Sequence, residues 1–116
     1  MNIGDIYAVE IPPSNGHEQA GTRPAVIIQS PRFELRLPTV LIVPLTSQLK
    51  AQMFPGTFVI EPDAANRLTT RSVALVFQLR AIDKRRLKNQ IGKLGQADLT
   101  LIQSHIKQLI QIEEEN

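Results

Sequence analysis

Polar and apolar positions alternate from Gly4 to Ile11, with Ile6, Ala8 and Ile11 set against Asp5, Tyr7 and Glu10. That spacing predicts a first β-strand. Pro12-Pro13 ends it by removing two ladder donors. Pro24–Gln29 and Thr39–Leu45 are β-branched apolar runs and predict two buried strands, joined by the polar stretch Ser30–Pro38. The second is expected to stop at Pro44 and the polar Thr46-Ser47-Gln48. A short helical turn is predicted over Gln48–Met53, a strand over Thr57–Glu61 and a turn over Pro62–Asn66. Ser72–Ile82, long and mostly apolar, predicts one strand. Asp83–Leu87 predicts one helical turn with Asp83 as its N-cap, and Asn89–Leu94 a last short strand. Leu99, Ile102, Ile106, Leu109 and Ile110 recur at three- and four-residue steps, which predicts a helix over Gln96–Ile112. Asp98 suits its N-terminal end, whereas Glu113-Glu114-Glu115 opposes the dipole and predicts fraying. The sum is a mainly β domain, a partly closed β-barrel, with a C-terminal α-helix and short helical turns.

The chain has 116 residues, which fits a single domain over 1–116. It has no cysteine, so disulfide and thiolate chemistry are excluded. With only 2 histidines as well, a dedicated transition-metal site is not expected. No phosphate-binding glycine loop or zinc pattern occurs. No basic-plus-apolar leader is visible and the apolar runs fall short of a membrane span, which predicts a cytoplasmic protein with no membrane partner. The net charge is only +2, but its distribution is uneven. Arg80, Lys84, Arg85, Arg86, Lys88 and Lys93 face only Asp83 within one segment, a stripe suited to a polyanion.

The chemistry concentrates in Gly16-His17-Glu18-Gln19-Ala20-Gly21-Thr22-Arg23-Pro24. This glycine-bounded loop between two predicted strands carries a histidine, a carboxylate and an arginine. Phosphodiester cleavage in RNA needs a proton acceptor, a proton donor and groups aimed at charge growing on the phosphate oxygens. The planar fork of Arg23 suits two phosphate oxygens at once. Histidine as a residue type can exchange a proton near neutral pH, and His17 is the candidate for that task. The hydroxyl of Thr46 suits a phosphate oxygen or the nucleophile. Other roles for these residues stand beside these: Arg23 bracing the loop through Glu18, His17 as an exposed loop residue, Thr46 as a strand-end cap. Arg71 reads as a plain turn arginine. Aromatic residues are only 4% of the chain, so base-stacking platforms are scarce, and Phe33 and Phe54 are the candidates.

Several motifs in order resemble the MazF/PemK toxins. They are Gly4-Asp5-Ile6-Tyr7, Gly16-His17-Glu18-Gln19 with Gly21-Thr22-Arg23-Pro24, Val43-Pro44-Leu45-Thr46-Ser47, Gln78-Leu79-Arg80-Ala81-Ile82-Asp83-Lys84-Arg85-Arg86-Leu87, and Ile91-Gly92-Lys93-Leu94. The likeness covers nearly the whole chain. It implies an SH3-like barrel of the CcdB/PemK type and a homodimer. It implies a sequence-selective endoribonuclease toxin of a toxin–antitoxin module, acting on single-stranded RNA without a metal or other cofactor. Such toxins leave a 2′,3′-cyclic phosphate and a 5′-hydroxyl, and a cognate antitoxin inhibits them with an extended acidic segment. By motif match Arg23 and Thr46 fall on catalytic positions of MazF-type members, and His17 on the catalytic loop histidine of PemK-type members. Glu18, Gln19, Ser47, Gln48 and Gln78 are then expected to bind substrate around the groove. Arg80, Lys84 and Arg86 are expected to track the RNA backbone.

One departure stands out. PemK-type members carry an aspartate just before the motif glutamine and an arginine two residues earlier. Here those positions hold Phe77 and Leu75, and phenylalanine neither takes a proton nor bonds phosphate. The alternative reading is therefore a non-catalytic protein: a CcdB-like toxin that binds its target, or an RNA- or partner-binding barrel.

Overall fold

The computed structural model describes residues 1–12, 21–33 and 36–113. Seven antiparallel strands run β1 (Asp5–Ile11), β2 (Gly21–Ile27), β3 (Thr39–Thr46), β4 (Thr57–Ile60), β5 (Ser72–Leu75), β6 (Arg80–Asp83) and β7 (Leu87–Lys93), followed by helix α1 (Gln96–Leu109). Their order is β4-β5-β3-β2-β1-β7, with β6 on β3. Among the described residues β4 and β7 are the two ends of this order, in keeping with a partly closed barrel.

Two hydrophobic cores explain the strand sequences. In β2, Val26 enters one core while Ala25 and Ile27 enter the other; in β3, Val43 and Leu45 oppose Val40 and Ile42 in the same way. A strand buried on both faces has no polar face to alternate with, hence the continuous apolar runs. β1 divides likewise: Ile6 joins the first core and Val9 and Ile11 the second. This corrects the grouping of Ile6, Ala8 and Ile11, because Ile6 and Ile11 lie on opposite faces at a period of two. Asp5, expected to face solvent, is buried and accepts a hydrogen bond from the Asn2 amide at 2.8 Å.

Two further expectations are corrected. Pro44 does not stop its strand. It sits inside β3 opposite Ala25, and the strand continues because Leu45 and Thr46 pair with Ala74 and Val73 of β5 on the other edge. Nor is Ser72–Ile82 one strand. β3 pairs with β5 at Leu45↔Ala74 and with β6 at Ile42↔Arg80, so three steps along β3 are matched by six along its neighbour. The surplus is a 3-10 turn at Val76–Gln78, closed by the Leu79 amide donating to Val76 O and the Val76 amide donating to Gly56 O. A run of apolar residues gives no sign of such an insertion, because turn and strand are equally apolar here.

The helix packs through Leu99 and Ile102, with Ile106 half-buried against the first core. Leu109 and Ile110 of the predicted stripe are instead about half exposed, at 48% and 56%, beyond the sheet's cover. Burial, with Asp63 nearby adding to it, raises the Asp98 carboxyl above its ordinary range, which outweighs the pull of the helix N-terminus. Asp83 caps its turn as expected, accepting from the Arg85 amide at 2.8 Å. The Arg85 guanidinium bonds the same carboxylate and, with that amide, holds it down to about 2. No helix among the described residues is long and apolar enough to cross a membrane.

Candidate active site

The end of the β2–β3 ladder creates the site. The last pair is Ala25↔Pro44. Proline has no N–H to give, so pairing between these two strands ends there. Arg23 on β2 and Thr46 on β3 each lie two residues beyond that last pair. Arg23 is half-buried and opposite Val9 of β1; Thr46 is 3% exposed and opposite Val73 of β5. Each side chain is thus carried at a strand end whose outer edge is still paired, which fixes it while leaving a gap between them.

Two clefts meet at this gap. One, of about 400 Å³, is lined by Thr22, Arg23, Thr46 and Ser47, with Arg67, Thr69, Thr70 and Ser72 across from them. The other, of about 390 Å³, is lined by Arg23, Thr46, Gln48, Lys50, Met53, Phe54, Phe77 and Gln78. Both volumes lie within the range of roughly 300–1,000 Å³ usual for small-ligand sites. Arg23 and Thr46 are common to both. The Gln48 amide donates to Thr46 Oγ1 at 3.2 Å. Accepting that bond leaves the single hydroxyl proton of Thr46 to be donated elsewhere. The strand-end cap and a role toward a bound anion are therefore compatible.

The sequence candidates divide. Arg23, Thr46, Ser47, Gln48 and Gln78 come together around the paired clefts. His17, Glu18 and Gln19 lie outside the described residues. Arg80, Lys84 and Arg86 line neither cleft. Arg80 is in β6 opposite Ile42, and the Lys84 amide donates to Pro38 O. Arg86 and Lys88 flank Glu10 at 3.6 Å each, in a separate charged depression that also holds Asp83 and Arg85. The basic stripe is thus partly matched by acid from β1 and from its own turn, which the linear sequence hides. Arg71 is a turn arginine, 2.7 Å from Glu61.

Phe77 and Leu75 have definite places. Leu75 is buried at 2% exposure. Phe77 is carried out of line by the 3-10 turn into the second cleft, where its ring lies 5.4 Å from that of Phe54. The position that would carry a carboxylate is instead part of an apolar wall. The sequence reading missed Lys50, Arg67, Thr69 and Thr70. The signal for the last three is weak, because the Pro62–Thr70 connection has no periodicity to orient its side chains.

The chain and its fold have counterparts among known proteins. Residues 2–110 match the family of PemK-like, MazF-like toxins of type II toxin–antitoxin systems. A curated relative, endoribonuclease MazF of Staphylococcus saprophyticus, is 36% identical over 95 residues, spanning 82% of this chain and 78% of that protein. Among solved structures, MazF of Deinococcus radiodurans superposes with a TM-score of 0.80 at 23% identity, covering 96% of each chain. A mycobacterial endoribonuclease in complex with its cognate antitoxin superposes with a TM-score of 0.76 at 16% identity, covering 99% of each.

Proposed function

This chain belongs to the PemK-like, MazF-like toxin family, and from that premise we propose that it is a metal-independent, sequence-selective endoribonuclease of a toxin–antitoxin module. The substrate is single-stranded RNA. The 2′-hydroxyl attacks the adjacent phosphorus, the bond to the 5′-oxygen breaks, and the products are a 2′,3′-cyclic phosphate and a 5′-hydroxyl. One proton leaves the 2′-oxygen and one reaches the departing 5′-oxygen.

Arg23 takes the central role. Its guanidinium forks onto two non-bridging oxygens and stabilises the charge that grows there during attack. The Thr46 hydroxyl, oriented by the Gln48 amide, donates to the same phosphate. Phe77 accepts no proton, so in this reading Arg23 and Thr46 act with help from His17 or Glu18. Glu18, Gln19, Ser47, Gln48 and Gln78 contact the nucleotides flanking the cut. Arg80, Lys84 and Arg86 contribute salt-sensitive attraction to the RNA backbone beyond the clefts. The working assembly is a cytoplasmic homodimer held inactive by a cognate antitoxin.

The observation that carries this reading is the convergence of Arg23 and Thr46 on the wall shared by two clefts. The purified protein is expected to cut a defined single-stranded RNA in excess EDTA. End-group analysis should find cyclic phosphate on the 5′ fragment and free hydroxyl on the 3′ fragment. RNA bound but left whole would favour the non-catalytic barrel, for which the apolar Phe54–Phe77 wall is the supporting feature.

A further inference from the structure

Arg67 has a backbone conformation that its residue type disfavours. Its φ is 55°, in the left-handed region, where a side chain other than glycine is uncommon. Gln111 is the only other such non-glycine residue among those described, and it follows a helix C-terminus, where that conformation is routine. Arg67 ends the single turn that its amide closes onto Asp63 O, a position whose ordinary occupant is glycine. Its neighbours force the conformation. Asn66 is fully buried, and its Oδ1 accepts from the Asp63 and Leu68 amides at 3.0 Å each. Asn66 Nδ2 donates to Glu61 O at 2.9 Å, and the Arg67 amide donates to Asp63 O at 3.1 Å. Bonds on both sides of Arg67 hold its backbone in place, and the residue lines the first cleft together with Arg23 and Thr46.

Two arginines, Arg23 and Arg67, line the resulting cleft together with the hydroxyl-bearing residues Thr22, Ser47 and Thr70. Arginine stays charged at any working pH. Two such groups around one cleft suit an anion with more than one phosphate better than a single small anion. We propose that Arg67 is a second phosphate-binding residue, holding the RNA backbone at a phosphate next to the one gripped by Arg23 and Thr46. The inference rests on the endoribonuclease reading above and extends it to a residue outside the motifs that carry that reading.

Arg67→Gly tests it, because glycine adopts this conformation freely and the fold should be kept. Against a defined RNA, KM is expected to rise about tenfold, the size of one charge-assisted hydrogen bond, with kcat within about twofold of the parent. Binding of a non-cleavable 2′-deoxy RNA should show a log–log salt slope shallower by about 0.7, one phosphate contact on a single strand. Arg67→Lys should restore the slope. The melting temperature of Arg67→Gly should equal or exceed that of the parent. If the parent cuts RNA and Arg67→Gly has the same KM and slope, this inference alone is overturned. A lowered melting temperature would make Arg67 a structural brace and overturn it too. A parent that cuts no RNA would overturn the endoribonuclease reading and this one with it.

Discussion

Arg23→Ala is expected to lose cleavage by about 10²–10³-fold in kcat/KM, the loss seen when one donor to a developing oxyanion is removed. That corresponds to about 3–4 kcal/mol of transition-state stabilisation. The loss should fall mainly on kcat, because the phosphate gains its extra charge only as the 2′-oxygen attacks. Arg23→Lys should recover only part of the rate, since an ammonium supplies charge without the two-pronged geometry. The fold should survive. Arg23 is half-buried near the end of β2, past the point where pairing with β3 stops, and it belongs to neither hydrophobic core. Circular dichroism and melting of the variant check that. An Arg23→Ala protein that cuts at the parent's rate would remove Arg23 from the chemistry.

Gly92→Ala is expected to cost more stability than the same change at any other glycine among the described residues. Gly92 lies in β7 opposite Ile6, and the turn ending at Asn66 presses directly on it. A Cβ there would overlap the Asn66 carbonyl oxygen and stand 2.6 Å from its carbonyl carbon and 2.7 Å from Ala65 O. These are backbone atoms and have no rotamer to escape into. The turn is fixed in turn by Lys93 N donating to Ala65 O at 2.9 Å and by the buried Asn66 side chain. Overpacking costs about 1–3 kcal/mol where side chains can shift. Against held backbone we expect about 3 kcal/mol or more, a large part of a usual total of roughly 5–15 kcal/mol. Gly95→Ala, which meets nothing within 4 Å, should cost no more than about 1 kcal/mol as a helix-cap change. Denaturant unfolding of both proteins makes the comparison. Equal stability in the two would refute the packing argument. Because the displaced turn carries Arg67, Leu68, Thr69 and Thr70 into the first cleft, Gly92→Ala should also weaken RNA binding.

Strand β3, most of β2, the Asp83 cap and the C-terminal helix were legible because each rests on a local signal: β-branched runs, a capping carboxylate, a 3.6-residue stripe; residues 21–23, read as loop, instead open β2. What stayed hidden was set by register. Pro44 looks like a strand breaker in sequence, yet it blocks bonding on one edge only, and that one-sided break opens the site. The turn at Val76–Gln78 is as apolar as the strands beside it, so its three-residue surplus appears only when β5 and β6 are both laid along β3. Arg23 and Thr46 were legible as chemistry and through resemblance to a family, but their meeting follows from the ladder. Arg67 had no signal of either kind. Its backbone is set by a local turn in which the Asn66 side chain bonds backbone on both sides of it, and its place at the cleft by where that turn packs, which spacing does not encode.

Arg23 and Thr46 acting on one phosphate is the claim on which the mechanism turns, and a double-mutant cycle measures it. Thr46→Val keeps the shape of the side chain and removes the hydroxyl; alone it should slow cleavage about ten- to a hundredfold. Combined with Arg23→Ala, it should add little to the loss from Arg23→Ala alone, as for groups that work as a unit. Losses that multiply in full, as for two sites that never meet on the substrate, would contradict the account.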